Sequence, residues 1–399
     1  MTHLVWLVNN VTHYHKARAD AFARSWDGRL TLLALSDRDE LSALEAGGCS
    51  FAEVATLFPS CSLGRIRKGL LRKKLLGSLA ELKPDVCCLN GWGLPGTAVM
   101  LEWALRSSVP CVLFSDSNQH DRPARFLKEE LKRRFVSQCS SALVAGRSSR
   151  AYVMQLGIEQ QYIFDGYDVV DNEYFSSRAE EARSNPMRWR KDLELPEKYF
   201  LACARFEPKK NLRRLIEAFA RYTKQVVSNP WKLVIVGDGT LRPELLSFST
   251  SLGIDAHISF RGLEDYRTLP YIYGLAKTFV HASTTEQWGL VVNESMAAGL
   301  PVLVSEACGC APELVNDTQN GYTFNPLNLD ELAQRMLSNH KNEDQLHSMG
   351  QMSLEIIAEW GLERFSQNLR RAIVCAQSRE PRRSRLISKA AIRIMAAAL

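Results

Sequence analysis

Short apolar runs alternate with longer helical patterns along the whole 399-residue chain. Each run is bounded by Gly, Pro, Asn or Asp. The runs form two series: 4–8, 30–35, 86–89, 111–114 and 142–145, then 199–204, 232–236, 258–260, 278–281 and 302–304. Strands separated by helices in this way form parallel sheets covered on both faces. The sequence therefore predicts an α/β protein with two doubly wound, Rossmann-like domains.

A polar segment from Ser176 to Pro196 separates the two series and is predicted to be the linker. The predicted domains are residues 1–178 and 179–358. A C-terminal helix at 359–378 is expected to pack back toward the first domain, and a basic amphipathic tail follows at 379–399. Because ligands bind beyond the carboxyl ends of parallel strands and between domains, we expect the domains to face each other across a ligand cleft.

Composition excludes several classes of protein. Hydrophobic residues make up 46% and charged residues 24%, which are ordinary globular values and argue against disorder and coiled coil. The chain has no apolar run of 18 residues, and residues 1–8 lack the basic start of a signal peptide, so we expect neither a membrane span nor an export signal. The ten cysteines lack zinc or redox spacing, which favours reduced thiols and a cytoplasmic location.

Two segments carry an excess of positive charge. Residues 65–76 contain six cations and no acid, with leucines between them. The tail from residue 379 contains six cations and one acid, and so supplies five of the six net positive charges of the chain. Amphipathic basic segments favour anionic membrane surfaces, and a solvated helix face explains them equally well. Nucleic acid is not expected as a partner, because no nucleic-acid-reading motif accompanies the charge.

A glycine-rich stretch in the first half, Gly91 to Gly96, fits the dinucleotide-binding pattern G-x-G-x-x-G. It follows a predicted strand, opens a helix, and has Asp116 twenty residues after Gly96. The pattern indicates a nicotinamide-dependent dehydrogenase as one alternative. The other interpretation is an ordinary strand-to-helix turn, since the stretch lies late in its domain rather than in the first βα unit.

In the second half, the turn after the strand at 199–204 holds Arg205, Lys209 and Lys210 before a helix that is predicted to start near Asn211. Fixed cations beside the free N–H groups of a helix N-terminus form an anion site. Asn211 is a good candidate for the N-cap residue. A solvated basic loop is the alternative.

Two further turns end predicted strands with glycine. Gly237-Asp238-Gly239 allows a ligand or the other domain to approach the backbone closely. Phe260, Arg261, Gly262 and Leu263 form a turn against which a planar base can lie. Each signal is weak when taken alone.

The sharpest pattern surrounds two glutamates, Glu286 and Glu294, which are separated by seven residues. A helix is predicted from Gly289 to Gly299, so the N–H groups of Gly289, Leu290 and Val291 can bind an anion. Glu294, one turn into the helix, can accept hydrogen bonds from two vicinal hydroxyls, and Glu286 can reach a sugar. The alternative is a pair of solvated glutamates.

These motifs, in this order over residues 199–338, resemble the C-terminal domain of glycosyltransferase family 4, the retaining GT-B sugar transferases. The Glu286/Glu294 spacing matches the family signature, with Gly289, Leu290, Met296, Ala297, Gly299 and Pro301 in register. Ala204 to Asn211 matches the upstream family segment. Gln287 and Trp288 stand where the family usually has Pro-Phe.

The resemblance implies a role for each matched residue. Arg205 and Lys210 neutralise a nucleotide diphosphate, Glu294 binds the ribose and Glu286 contacts the transferred sugar. The amides of residues 289–291 hold phosphate, and Gly237 with Phe260, Arg261 and Leu263 borders the nucleotide. No metal or other cofactor is expected, because fixed cations and helix dipoles can neutralise the charge.

The first half departs from the family pattern, so the acceptor side rests on candidates only. Asp116, which we also expect to take part in catalysis, and the histidines His13, His15 and His120 can position or deprotonate an acceptor hydroxyl. The implied activity is transfer of a sugar from a nucleotide diphosphate sugar to a glycan or lipid-linked acceptor, at the cytoplasmic face of a membrane. A nucleotide-sugar-binding protein without turnover is the second alternative.

Overall fold

The computed structural model describes residues 1–38, 49–94, 96–119, 126–379, 390 and 392–396. The chain divides into two compact units. The first comprises residues 1–169 together with 361–399, and the second comprises residues 170–360.

The first unit contains a parallel sheet of seven described strands in the order β3-β2-β1-β4-β5-β6-β7. The strands are β1 (His3–Val8), β2 (Arg29–Arg38), β3 (Glu53–Ser62), β4 (Val86–Asn90), β5 (Cys111–Ser115), β6 (Ser141–Val144) and β7 (Ile163–Asp165). The helices between them are α1 (His13–Arg24), α2 (Lys68–Leu82), α3 (Thr97–Arg106), α4 (Phe126–Val136) and α5 (Arg147–Gln155). The sheet buries apolar side chains on both faces, as the continuous apolar runs predicted.

The second unit contains a parallel sheet of six described strands in the order β10-β9-β8-β11-β12-β13. The strands are β8 (Tyr199–Cys203), β9 (Lys232–Val236), β10 (Ile258–Gly262), β11 (Thr278–His281), β12 (Val302–Ser305) and β13 (Gly321–Phe324). Its helices are α6 (Asn172–Ser184), α7 (Pro186–Asp192), α8 (Leu212–Gln225), α9 (Arg242–Ser251), α10 (Leu269–Leu275), α11 (Leu290–Ala297), α12 (Ala311–Leu314), α13 (Leu329–Lys341) and α14 (Leu346–Ala358). Both sheets therefore have the doubly wound order.

The last long helix, α15 (Leu362–Ser378), belongs to the first unit. It buries Phe365, Leu369 and Ile373, and the Phe365 ring stacks on Trp6 of β1 at a centroid distance of 5.9 Å. Spacings of four residues place these side chains on one face of the helix. The first unit is thus assembled from the two ends of the chain.

The predicted linker at 176–196 is wrong, because this segment forms most of α6 and α7 within the second unit. Although the sequence of α6 is mostly polar, the helix has an apolar stripe at positions 175, 179 and 182, all of which are buried. Asp171 caps α6 by accepting a hydrogen bond from the Tyr174 N–H at 3.0 Å. The boundary between the first and second units accordingly falls at residues 169/170 rather than 178/179. The chain re-enters the first unit at residues 360/361 rather than 358/359.

The basic segment at 65–76 lies mainly on α2. Its Leu71 and Leu75 point into the core, whereas Lys73 and Leu70 are exposed. Of the basic tail, residues 380–389, 391 and 397–399 lie outside the described residues, whereas 392–396 are helical and Ile392 is buried in the core of the first unit. None of the described helices is long and apolar enough to cross a membrane.

Candidate functional site

The order of the second sheet reverses between β8 and β11, which are neighbouring strands. The loops that follow these two strands therefore leave the same edge of the sheet side by side, at the position where open α/β sheets bind ligands. The Thr284 N–H donates to the Lys209 carbonyl at 2.8 Å and joins the two loops. The predicted cations and the first predicted glutamate lie on these loops.

The Lys210 ammonium binds the Glu286 carboxylate directly. The same carboxylate lies 3.4 Å from His281 Nε2 and accepts a hydrogen bond from the Ser283 hydroxyl at 3.3 Å. Burial alone would raise the pKa of Glu286, but hydrogen bonding to His281 and the Lys210 charge outweigh it and hold the pKa far below its usual range. Burial lowers the pKa of His281. Glu286 is therefore a fixed anion beside a neutral imidazole.

Asn211, whose backbone is left-handed with φ of 58°, occupies the predicted N-cap position of α8, but its side chain does not cap the helix. The amide nitrogen instead donates to the Ala282 carbonyl at 3.0 Å and to the Pro326 carbonyl at 2.9 Å. Asn211 thus ties the β8 loop to the β11 loop, which fixes the backbone beside Lys210.

Arg205 occupies a more open position than Lys210. Its guanidinium pairs with Glu207 at 3.0 Å, and 51% of its side chain is exposed. The two predicted cations therefore differ in exposure. Lys210 is largely buried and paired with the Glu286 carboxylate, whereas Arg205 faces solvent. A bound anion can recruit Arg205 at small cost, because exposed ion pairs contribute little stability.

The turn at Gly237 and Gly239 is filled by the protein itself. A Cβ on Gly237 would lie 1.9 Å from the Ala204 carbonyl oxygen, and one on Gly239 would lie 2.8 Å from that of Phe206. We predicted that a ligand or the other domain would lie close to the backbone of these glycines. The loop after β8 lies there instead. Both glycines thus act in packing the loop that carries Arg205.

The predicted residues Phe260 and Arg261 lie within β10, and Leu263 follows it. The Phe260 ring packs edge-on against Phe206 at a centroid distance of 6.1 Å. Arg261 pairs with Glu264 at 2.7 Å, and Leu263 is exposed. An exposed leucine next to aromatic and guanidinium groups is a suitable border for a planar base.

Helix α11 begins one residue after Gly289, whose φ of 106° is in the left-handed region. The helix places Glu294 in the interior, where only 1% of the residue is exposed. The Tyr273 hydroxyl donates to its carboxylate at 2.8 Å. Glu294 is therefore a buried carboxylate that Tyr273 of α10 helps to orient. It is not the solvated glutamate of the alternative interpretation.

The loop after β12, which contains Gly309 and Cys310, binds the backbone of the Glu286 segment. The Gly309 N–H donates to the Glu286 carbonyl at 3.0 Å, and the Cys310 N–H donates to the Trp288 carbonyl at 3.2 Å. A Cβ on Gly309 would lie 1.8 Å from the Gln287 carbonyl oxygen, so only glycine fits. The Trp288 indole is buried, donates to Asn293 at 2.9 Å and packs on Trp360 at 5.1 Å. Trp288 and its neighbours hence fix the backbone on both sides of Glu286.

The described acceptor candidates belong to the first unit, whereas the residues discussed above belong to the second. Asp116 directly follows β5, and its carbonyl accepts a hydrogen bond from Ser149 at 2.8 Å. His13 is the first residue of α1. His120 lies outside the described residues.

His15 has a structural role in the capping box of α1. Its Nδ1 lies 2.9 Å from the Thr12 hydroxyl, while the Thr12 side chain accepts from the His15 N–H. Burial, aided by the Arg18 charge, lowers the pKa of His15 to about 3. This argues against the expectation that His15 titrates near neutral pH as a base.

The glycine pattern of the first half also has a packing role. A Cβ on Gly96 would meet Leu75 at 3.0 Å and Leu7 at 3.6 Å, so this glycine lets α3 approach the core. Gly91 has φ of 71° and donates to the Phe114 carbonyl at 2.8 Å. These contacts favour the strand-to-helix turn over a dinucleotide site.

Within the part of the chain that the structure describes, no group of three or more His, Cys, Asp or Glu residues could hold a metal ion. All ten cysteines are free thiols.

The sequence matches the family model "Glycosyl transferases group 1" over residues 185–354. This range contains both predicted glutamates, both predicted cations and the loops between them. Residues 185–354 therefore belong to the group 1 glycosyltransferase family. The family that the motifs resembled is thereby confirmed, and the dehydrogenase alternative is not supported.

Known glycosyltransferases show how far the likeness extends. The chain is 22% identical to the alpha-monoglucosyldiacylglycerol synthase of Acholeplasma laidlawii over 310 residues, or 73% of this chain and 76% of that enzyme. It is 31% identical over 157 residues, or 39% of this chain, to a Campylobacter jejuni enzyme named N-acetylgalactosamine-N,N'-diacetylbacillosaminyl-diphospho-undecaprenol 4-alpha-N-acetylgalactosaminyltransferase. In this relative and three others, the aligned part spans 34% to 41% of each protein's length.

The fold is shared with solved glycosyltransferase structures. Anabaena HepE in complex with UDP-glucose superposes with a TM-score of 0.73 at 17% identity, covering 94% of this chain and 100% of that one. The predicted GT-B fold, with two doubly wound α/β sheets, is therefore confirmed.

Sequence reasoning missed the residues that hold the candidate site in place, namely His281, Ser283, Tyr273 and Gly309. Polar residues at the end of an apolar strand are a usable signal for His281 and Ser283. Tyr273 has no such signal, because its hydroxyl reaches Glu294 from a separate helix.

Proposed function

We propose that this glycosyltransferase moves a sugar from a nucleotide diphosphate sugar to an acceptor hydroxyl with retention of anomeric configuration. The observation that carries the proposal is the meeting of Lys210 and Glu286 at the point where the second sheet reverses its order, next to the start of α11. A cation, a carboxylate and a helix N-terminus at one place match the diphosphate and the hydroxyl groups of such a donor.

The reaction breaks the bond between the anomeric carbon and the diphosphate oxygen, and the diphosphate leaves with the electron pair. The acceptor oxygen bonds to the same carbon, and its proton leaves with the diphosphate. Lys210, Arg205 and the amides of residues 289–291 stabilise the departing charge more than the ground state, which lowers the barrier. We propose that these groups suffice without a metal ion.

The ion pair in the protein alone suggests how donor binding proceeds. The Lys210 ammonium is neutralised by Glu286 until a diphosphate competes for it. When Lys210 turns to the phosphates, Glu286 keeps the contacts to His281 and Ser283 and gains the capacity to accept hydroxyls of the sugar. Glu294, oriented by Tyr273, binds the ribose, and Leu263 with its neighbours borders the base.

The acceptor is proposed to be a glycan or a lipid-linked molecule, so that the enzyme serves polysaccharide or glycolipid synthesis. The names of a diacylglycerol glycolipid synthase and of an undecaprenol-linked glycan transferase among the relatives support this class. The solvent-facing cations of α2 support peripheral binding at the cytoplasmic face of an anionic membrane. Asp116 and His13 stay candidates for contacts with the acceptor.

The experiment is a screen of purified protein against nucleotide diphosphate sugars, read as thermal stabilisation and as donor consumption. A donor present well above its Kd raises the melting temperature by mass action. Product analysis by NMR then reports the anomeric configuration. A panel in which no donor stabilises the protein or is consumed contradicts the donor assignment, and an inverted product contradicts retention.

A further inference from the structure

Three arginines converge on one carboxylate in the first unit, away from the glycosyltransferase site described above. Glu102 lies on α3 and is almost fully buried. Arg72 of α2 contacts it at 2.8 Å, Arg106 of α3 at 2.5 Å, and Arg393 of the C-terminal segment at 3.6 Å. Three separate segments of the chain therefore bring their guanidinium groups to one place.

The cluster has more positive charge and more donors than Glu102 can satisfy. Three guanidinium groups carry three charges and five N–H donors each, whereas one carboxylate carries one charge and about four acceptor positions. The side chains of Arg106 and Arg393 are 60% and 64% exposed, so much of each guanidinium faces outward. The local balance is two positive charges.

A cavity of about 240 Å³ lies at this point, lined by Arg72, Glu102, Arg106, Arg393 and Ala396. A phosphate group fits a cavity of this size. Guanidinium groups bind phosphate through paired N–H donors, and they do so more strongly than neutral donors. Ile392, the residue before Arg393, is buried in the core of the first unit and anchors the segment that supplies Arg393.

We propose that this cavity is a binding site for a phosphate group, carried either by a lipid headgroup or by a soluble phosphate ester. The phosphate oxygens take the N–H donors that Glu102 leaves over, while Glu102 keeps the three arginines from repelling one another in the empty site. The site is distinct from the proposed donor site, because it is built from residues of the other unit.

Whether Glu102→Gln raises the affinity for phosphate distinguishes a ligand site from a structural ion-pair cluster. Titration calorimetry with inorganic phosphate is expected to show weaker binding by about tenfold in Arg393→Gln and in Arg106→Gln, the size of a lost charge-assisted hydrogen bond. Glu102→Gln is expected to bind phosphate more tightly, since a competing negative charge is removed. A purely structural cluster would instead lose melting temperature in Glu102→Gln with no gain in phosphate affinity.

Two controls locate the signal. Lys73 is an exposed cation of α2, the helix that carries Arg72, but it does not line the cavity. Lys73→Gln is therefore expected to leave phosphate affinity unchanged. Lys210→Ala changes the proposed donor site in the other unit and is expected to retain the cavity signal. Because Arg393 is an exposed side chain, its replacement carries little risk to folding.

Flotation with phosphatidylcholine vesicles, with and without phosphatidic acid, distinguishes the two sources of phosphate. Binding that requires phosphatidic acid and is lost in Arg393→Gln assigns the site to a lipid headgroup. Phosphate binding in calorimetry without vesicle binding assigns it to a soluble ester. The proposal is overturned if the wild-type protein binds neither, or if Arg393→Gln and Glu102→Gln both bind phosphate as the wild type does.

Discussion

The ammonium of Lys210 is bound to the carboxylate of Glu286, so two groups expected to hold different parts of one substrate neutralise each other in the protein alone. A buried carboxylate without its cation would carry a large desolvation penalty. The pair therefore keeps the site stable when it is empty and leaves each partner ready for exchange. This relationship links the stability of the site to its proposed chemistry.

We expect Lys210→Ala and Arg205→Ala each to reduce turnover by on the order of 10²–10³, the size seen when a stabiliser of developing negative charge is removed. Steady-state kinetics with the identified donor measures this. Arg213→Ala is the matched control, since Arg213 is equally exposed and also pairs with a glutamate, Glu244, outside the site. Near wild-type turnover in both Lys210→Ala and Arg205→Ala would remove the assignment.

Removal of metal is expected to leave turnover unchanged. The fixed cations Arg205 and Lys210 and the start of α11 are proposed to take over the charge that a divalent ion would neutralise elsewhere. The measurement compares turnover before and after treatment with EDTA, with readdition of magnesium or manganese. A loss that either metal restores would contradict the proposed metal-free mechanism.

Tyr273→Phe is expected to weaken donor binding by roughly 1–3 kcal/mol, because the Glu294 carboxylate loses the hydrogen bond that orients it. The KM for the donor should rise more than kcat falls, since the effect is on nucleotide binding. Tyr199→Phe is the matched control: Tyr199 is also a buried tyrosine in the same unit, and its hydroxyl donates to the Ile272 carbonyl at 2.6 Å. Equal changes in KM in the two variants would show a general loss of packing instead.

Gly309→Ala is expected to displace the Glu286 loop, because the added methyl group cannot fit beside the Gln287 carbonyl oxygen. The cost in stability is about 1–3 kcal/mol, as for overpacking of a filled interior. Thermal unfolding and turnover report the two effects. Gly77→Ala in α2 is the control, since open space surrounds its added methyl group and alanine favours helix; wild-type behaviour in Gly309→Ala would refute the positioning role.

His15 is expected to make the folded state less stable as pH falls. Its folded pKa of about 3 lies below the usual histidine value of 6.5, so between these values the unfolded chain binds a proton that the folded chain does not. Stability is then lost by up to about 1.4 kcal/mol per pH unit as pH falls through this window. Denaturant unfolding across this range should show a smaller slope in His15→Gln than in the wild type. The slope should not change in His347→Gln, which alters an exposed histidine, and an unchanged slope in His15→Gln would be evidence against this effect.

The ten predicted strands are all present, and the three that were missed, β3, β7 and β13, are three of the four edge strands of the described sheets; the fourth, β10, was predicted. A central strand of a parallel sheet is buried on both faces and has a continuous apolar sequence. An edge strand is covered less completely, and β3 has exposed pairs at 53–54 and 59–60 on either side of the buried pair Leu57 and Phe58. The long apolar run that identifies central strands is therefore absent from these three edge strands.

The candidate site was predictable where neighbouring residues in the sequence determine it. The Glu286/Glu294 spacing and the cations before α8 lie within short segments, so their order could be read directly. Asn211 is at the predicted N-cap position, but the partners of its side chain, the carbonyls of Ala282 and Pro326, lie far along the chain and could not be predicted. Tyr273 was missed for the same reason.

The contact between Trp6 and Phe365 has a consequence for biosynthesis. The ribosome makes β1 before the second unit, but the helix that covers one face of the sheet of β1 emerges only after the whole second unit has been made. During that interval the second unit, which is continuous in sequence, can complete its core while the first keeps an apolar face uncovered. Truncation before residue 361 should therefore harm the unit made first, and a chaperone that protects the nascent chain should act on that face.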